Sequence, residues 1–250
     1  MKGRCPFIIL FLTLTFSSCM SVNKPIVIGH RGAMGHETEN TLASIQKAIE
    51  LKVDMIEIDV FKIRTGEIVV FHDDEVDRLT NGSGFIEDYS FDQLRALVVE
   101  GGHKVPTLQE VLDEMAAKVD LNIELKGADT AEEVNRIVKE NIQNGPWKLN
   151  NFIISSFKWD ELKDMRASNT EIPIAILTGK DPKDAIEIAK ELNAEAVNPH
   201  FEQLNAENNV ALKEAGLKIY PWTVNDEQDI IGMKRLGVDG IITNYPERVK

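Results

Sequence analysis

Short hydrophobic runs recur along the chain, with helix-like stretches between them. The runs are Ile26–Gly29, Met55–Val60, Leu121–Leu125, Phe152–Ser156, Pro173–Leu177, Ala194–Asn198, Lys218–Trp222 and Gly240–Thr243. Apolar runs of this length, without strict alternation, read as strands buried on both faces of a parallel sheet. The segments Thr41–Lys52, Thr130–Asn141, Trp159–Ser168, Asp184–Leu192, Asn208–Ala215 and Glu227–Leu236 carry helical periodicity. Eight strands alternating with helices predict an α/β fold, a (β/α)8 TIM barrel, in one domain spanning residues 24–250.

The second connection departs from this pattern. Ile58 to Asp73 reads as a strand, a tight turn at Thr65-Gly66 and a returning strand. A two-residue turn there places Asp59 directly opposite His72. The returning arm is followed by the turn-rich Thr80–Gly84, a short helical stretch near Phe91–Val98 and a second at Thr107–Lys118. Residues 67 to about 105 are therefore expected as a small insertion folded back over the barrel mouth after the second strand.

Glu57 and Asp59 lie two residues apart, so they project from one face of their strand. Carboxylates inside so apolar a strand are costly unless paired or bound to a cation. With His72 close by, they suit a Mg²⁺ or Ca²⁺ site. Reactive groups of such barrels sit at the C-terminal strand ends. There the chain carries His30 and Arg31 after the first strand, Glu57 and Asp59 on the second, Glu124 and Lys126 on the third, and Trp222 on the seventh. Glu124 adds a third carboxylate to the cation site.

The first 19 residues read differently from the rest. Lys2 and Arg4 precede the apolar run Phe7–Phe16 and then Ser17-Ser18-Cys19. This is the pattern of a secretory signal whose cysteine accepts lipid. The mature chain is expected to begin at Cys19, exported and membrane-anchored as a bacterial lipoprotein, periplasmic or at the cell surface. Cys5 leaves with the signal and Cys19 carries lipid, so no disulfide is expected. The net charge is −13. That excludes nucleic acid as a partner and limits membrane contact to the lipid itself. An anionic small-molecule substrate needs a local cation.

Several motifs occur together in one order. They are His30-Arg31-Gly32 with Glu39-Asn40-Thr41, Glu57-x-Asp59, His72-Asp73, Glu124-x-Lys126, Trp222-Thr223-Val224-Asn225 and Gly240-Ile241-Ile242-Thr243-Asn244. Their ordered set resembles the glycerophosphodiester phosphodiesterase family. The resemblance implies cleavage of glycerophosphodiesters to glycerol 3-phosphate and an alcohol with one divalent cation, Mg²⁺ or Ca²⁺. It implies that His30 and His72 form the acid–base pair and that Glu57, Asp59 and Glu124 hold the metal. Arg31 and Lys126 suit a substrate phosphate, and Trp222 a wall for the glycerol. Thr38 stands where that family often has Pro, and Asn244 where Asp is common.

The remaining polar residues read more plainly. Asn40 and Thr41 read as a helix cap, with Glu39 unassigned. His36, His103 and His200 read as loop residues. Asp73-Asp74-Glu75 reads as a solvated run in which Asp73 could orient His72. Rival functions are a barrel glycosidase, a related-barrel phospholipase of the phosphatidylinositol or sphingomyelinase D type, and a surface lipoprotein that binds without cleaving. A glycosidase has no need of the two histidines and would want a carboxylate near Lys218–Asn225, where none occurs.

Overall fold

The computed structural model describes residues 24–250. The expected signal segment and Cys19 lie outside the described residues. No helix among the described residues is long and apolar enough to cross a membrane.

Nine strands form among the described residues: β1 (Ile26–Gly29), β2 (Met55–Lys62), β3 (Ile68–Val70), β4 (Asp120–Leu125), β5 (Phe152–Ser156), β6 (Ile174–Thr178), β7 (Ala196–Pro199), β8 (Lys218–Ile219) and β9 (Gly240–Thr243). Eight of them run parallel in the order β8-β7-β6-β5-β4-β2-β1-β9. The ladder stops at β8 and β9, but single bonds close the seam. The Asp239 N–H donates to the Ile219 carbonyl at 3.1 Å, and the Ile242 N–H to the Pro221 carbonyl at 3.0 Å. The Asp239 carboxylate accepts the Ile219 N–H at 3.0 Å. The result is the expected (β/α)8 barrel.

The helices are α1 (Leu42–Glu50), α2 (Phe91–Ala96), α3 (Leu108–Met115), α4 (Ala131–Asn144), α5 (Trp159–Ser168), α6 (Ile186–Glu191), α7 (Ala206–Glu214) and α8 (Glu227–Leu236). After β9 a single 3₁₀ turn, Pro246–Arg248, stands in place of a final helix. Alternate residues of each barrel strand face opposite ways. Ile56, Ile58, Ile123 and Ile154 pack outward against the helices in the main core. Ile28, Met55, Ile153, Ala175, Ala196 and Tyr220 point inward and fill the barrel floor.

The hairpin after β2 corrects the expected register. Val60 pairs with Val70, Phe61 with Val69 and Lys62 with Ile68. The turn is a three-residue loop, Arg64 to Gly66, closed by the Ile63 N–H on the Glu67 carbonyl at 3.0 Å. Gly66 takes a φ of +104°, which a glycine adopts without strain. The extra loop residue moves the pairing by one, so Phe71 faces Asp59 and its N–H donates to the Asp59 carbonyl at 3.0 Å. His72 therefore lies beyond the ladder and does not face Asp59 across it. As expected, β3 stays off the barrel and pairs with β2 alone.

Phe61, Ile63, Val69, Phe71, Val76, Ile86 and Leu94 gather into a second, smaller core above the barrel. That core holds the segment carrying His72 and Arg78 against the mouth. On the other side of the mouth, the Glu161 carboxylate of α5 accepts from the N–H groups of Asp129, Thr130 and Ala131 at 2.7 to 3.1 Å. This satisfies the start of α4 and fixes the loop that follows Lys126.

Candidate active site

The His30-Arg31-Gly32 loop owes its shape to Gly32. Its φ is +85°, and a Cβ there would collide with Ser44. The Ser44 hydroxyl donates to the Arg31 carbonyl at 2.6 Å and accepts from the Ala33 N–H at 2.9 Å. Clamped to α1 in this way, the loop turns His30 and Arg31 into the barrel mouth. Both line a cavity at the barrel mouth, together with Glu57, His72, Glu124, Lys126 and Trp222.

Glu57 and Asp59 come from β2 and Glu124 from β4, with Asp59 and Glu124 paired in register. All three are buried, and one oxygen from each lies within 4.8 Å of the others. Such crowding disfavours ionisation. Burial first, then the charges of Asp59 and Glu124, raises Glu57 well above the usual carboxylate range. Burial and Asp59 push Glu124 up to about 8, although Lys126 pulls the other way.

The neighbouring cations compensate only in part. Arg31 Nε stands 3.3 Å from Asp59 Oδ2, and Lys126 Nζ stands 3.4 Å from Glu124 Oε1. Glu57 Oε2 accepts the Arg31 N–H at 3.0 Å, while its Oε1 has no hydrogen-bond partner among the described residues. An unpaired buried carboxylate oxygen beside two more carboxylates fits a hard divalent cation such as Mg²⁺ or Ca²⁺. Clustering this tight does not suit a glycosidase, whose two carboxyl groups stand about 5 Å or more apart across the sugar.

The two histidines reach the same cavity with different partners. His30 Nδ1 lies 2.7 Å from Asn244 Oδ1, and its Nε2 lies 3.9 Å from Glu57 Oε2. Burial, reinforced by Arg31, lowers His30 to about 4. It is neutral at neutral pH. His72 Nδ1 lies 2.6 Å from Asp73 Oδ1, and Lys126 Nζ lies 3.2 Å from its Nε2. Burial alone would raise Asp73, but hydrogen bonds from Arg78 and His72 bring its carboxyl down to about 2.

Arg78 is the residue that sequence reasoning missed. It donates to both oxygens of Glu39, at 2.9 and 2.8 Å, and to Asp73. Glu39 also accepts from Arg31 at 2.7 Å. Glu39, unassigned from sequence, thus joins the arginine of β1's loop to the arginine of the insertion. Asn40 is corrected as well. Thr41 caps α1, accepting from the Ser44 N–H, but the Asn40 side chain instead donates to Asp59 Oδ2 at 2.9 Å. Asp73 is not merely solvated, since it grips His72. Trp222 donates through Nε1 to the Asn198 carbonyl at 2.8 Å and packs edge-on against Phe157 and His200. His36 pairs with Glu247 at 3.0 Å, away from the carboxylates. His103 takes no part in the carboxylate cluster.

The sequence model of the glycerophosphoryl diester phosphodiesterase family matches residues 30–248. The chain belongs to this family. It is 34% identical over 238 residues to a glycerophosphodiester phosphodiesterase of Caldanaerobacter subterraneus, covering 90% of this chain and 96% of that one. It is 31% identical over 252 residues to a glycerophosphodiester phosphodiesterase of Bacillus subtilis, covering 91% of this chain and 86% of that one. In structure it is similar to an Oleispira antarctica phosphodiesterase solved with the product sn-glycerol-3-phosphate. The TM-score is 0.83 at 29% identity, over 90% of this chain and 95% of that chain. This family member is an enzyme, a phosphoric diester hydrolase, and its acidic triad offers a site for a divalent metal.

The raised carboxylates set a pH dependence. In the metal-free fold Glu57 and Glu124 keep protons that the unfolded chain releases near pH 4.5. Their contribution to stability is whole below that pH and is lost as pH rises toward 8. Well above pH 6.5, where a free histidine titrates, His30 is neutral folded or unfolded and adds no slope. A cation needs both carboxylates ionised, so its affinity should climb roughly tenfold per pH unit for each proton displaced. Calorimetric melting in saturating Mg²⁺ or Ca²⁺ and in chelator should therefore show a gap in Tm that widens between pH 6.5 and 8. A gap that is absent, or constant with pH, would exclude these carboxylates as the ligands.

Proposed function

We propose that this enzyme hydrolyses glycerophosphodiesters to glycerol 3-phosphate and an alcohol by metal-dependent His/His acid–base catalysis. The observation that carries the reading is the unequal placing of two imidazoles on one cavity beside three carboxylates. The product bound to the Oleispira phosphodiesterase supports the same product here. Glu57, Asp59 and Glu124 are the residues that would hold the cation. When bound there, a divalent cation offsets the negative charge that builds on the phosphoryl oxygens.

The chain's own residues supply the rest. Arg31 and Lys126 border the cavity and offer positive charge to the phosphodiester. Neutral His30, with Nδ1–H held by Asn244, presents an Nε2 lone pair suited to take a proton from the nucleophile. The nucleophile is water or the neighbouring glycerol hydroxyl. A neutral carboxamide cannot stabilise an imidazolium as a carboxylate does. His72 has that carboxylate in Asp73, so it is suited to carry a proton and give it to the leaving alkoxide. Once a phosphate oxygen takes over the Lys126 hydrogen bond, His72 Nε2 is free for that proton. Arg78 holds Asp73 and Glu39, and so fixes both His72 and Arg31.

The leader supports a location. The basic start, apolar run and Ser17-Ser18-Cys19 support export with a lipid anchor on Cys19.

His30→Ala and His72→Ala should each lower kcat on glycerophosphocholine by about 10²–10⁴-fold. With 4-nitrophenol as the leaving group, which needs no proton, His72→Ala should recover most of the loss and His30→Ala little. The opposite pattern would exchange the two roles. Normal rates for both variants on the natural diester would remove the mechanism. Excess chelator should abolish turnover, and full activity in chelator would contradict the metal requirement. In bacteria, Cys19→Ser should move the enzyme from the membrane fraction to the soluble one. Mass spectrometry that finds an unlipidated N-terminus beyond Cys19 would show a soluble exported enzyme instead.

A further inference from the structure

We infer that Asn198 is a specificity-determining residue that reads a hydroxyl of the substrate's glycerol moiety at the deep side of the cavity. The inference rests on the glycerophosphodiester reading above and deepens it. Asn198 lies on β7, four strands around the barrel from β2, so it faces the carboxylates from the opposite wall. It alternates with Ala196 of the barrel floor, which turns its side chain inward. It is 0% exposed, lines the cavity, and neither its Oδ1 nor its Nδ2 has a hydrogen-bond partner among the described residues.

That is unusual for a buried carboxamide, which is costly to leave unpaired. Asn122, the other inward-facing amide of this layer, accepts the Ser155 hydroxyl at 2.8 Å. The local packing can thus satisfy an amide, and at Asn198 it does not. The backbone carbonyl there is engaged, because it accepts the Trp222 indole N–H. Only the carboxamide waits for a partner.

The polarity of the cavity says what that partner is. Every charged group lies on the side of β1, β2 and β4. Around Asn198 the lining is Leu177, Phe157, Trp222, Thr223 and Ile242, with no charge among them. A ligand that fits has an anionic end and a neutral, hydroxylated arm. A cavity this narrow, closed by the barrel floor, suits a three-carbon arm as the buried one, leaving the larger and variable alcohol toward the mouth. A carboxamide both donates and accepts, which matches a hydroxyl. A ligand without the hydroxyl leaves Asn198 unpaired, and that is how such a site discriminates.

The test is binding of sn-glycerol 3-phosphate and of propyl phosphate, measured by calorimetry on the Mg²⁺-supplemented full chain and on Asn198→Leu. The natural chain should prefer glycerol 3-phosphate by about tenfold to a hundredfold. Asn198→Leu should bind propyl phosphate within about twofold of the natural chain and lose the preference. Its Tm should be unchanged or higher, since no native hydrogen bond is removed. If leucine is not accommodated, Asn198→Ala carries the same expectation for the preference. Equal weakening of both ligands, a preference that survives the substitution, or none in the natural chain would overturn the inference. The two readings fail separately. Hydrolysis of glycerophosphocholine with a preference untouched in Asn198→Leu sinks the role of Asn198 alone. A lost preference in a chain that hydrolyses no glycerophosphodiester sinks the activity and leaves the hydroxyl subsite.

Discussion

Mutual repulsion among Glu57, Asp59 and Glu124 is the constraint around which the mouth of this barrel is built. Two adjacent parallel strands deliver them in register, and burial keeps water from screening them. Arg31, Lys126 and Asn40 answer part of that charge, and Glu57 Oε1 is left over. Without a cation the cheapest relief is protonation, which is why Glu57 and Glu124 are displaced upward. A site arranged this way suits a cation whose charge would let all three carboxylates ionise, and it keeps a pair of histidines within reach of the same volume.

The barrel grades from apolar to charged along its axis. Ile28, Met55, Ile153 and Ala196 form a dry floor. Above it the neutral polar Asn122 and Ser155 stand in register with Glu57 and Glu124, Asn198 faces them from β7, and Lys126 and the histidines crown the mouth. The insertion is tied to this mouth by an ionic chain running from Arg31 through Glu39 and Arg78 to Asp73 and His72. The insertion is thus more than a cover. Its second core holds the segment that carries one of the two imidazoles.

Much of this was legible in the residues. Strand positions followed from apolar runs, because a buried parallel strand leaves a continuous hydrophobic signal. Trp159–Ser168 and Glu227–Leu236 form helices with the expected bounds. The pairing of Glu57 with Asp59 on one face followed from the period of a strand. What failed depended on single-residue geometry. Thr65-Gly66 looked like a two-residue turn, whereas Arg64 joins the loop and shifts the register. His72 reaches the cavity nonetheless, because the chain leaves the ladder after Val70 and Asp73 holds the ring. Asn40 resembled a cap because it precedes one. Arg78 and Asn198 carried no local signal, since an arginine in a loop and an asparagine ending a strand acquire meaning only from what lies across the barrel.

The most direct measurement of the central claim is anomalous diffraction from crystals soaked in Mn²⁺, an oxygen-seeking stand-in for Mg²⁺ and Ca²⁺, with data collected at the manganese edge. The account expects one strong peak per chain, within roughly 2.0–2.6 Å of oxygens from Glu57, Asp59 and Glu124. The peak should vanish in Glu57→Gln crystals of the same fold. A protein that cleaves its diester in the presence of Mn²⁺ while its crystals show no peak among these carboxylates, or show it elsewhere, would contradict the account.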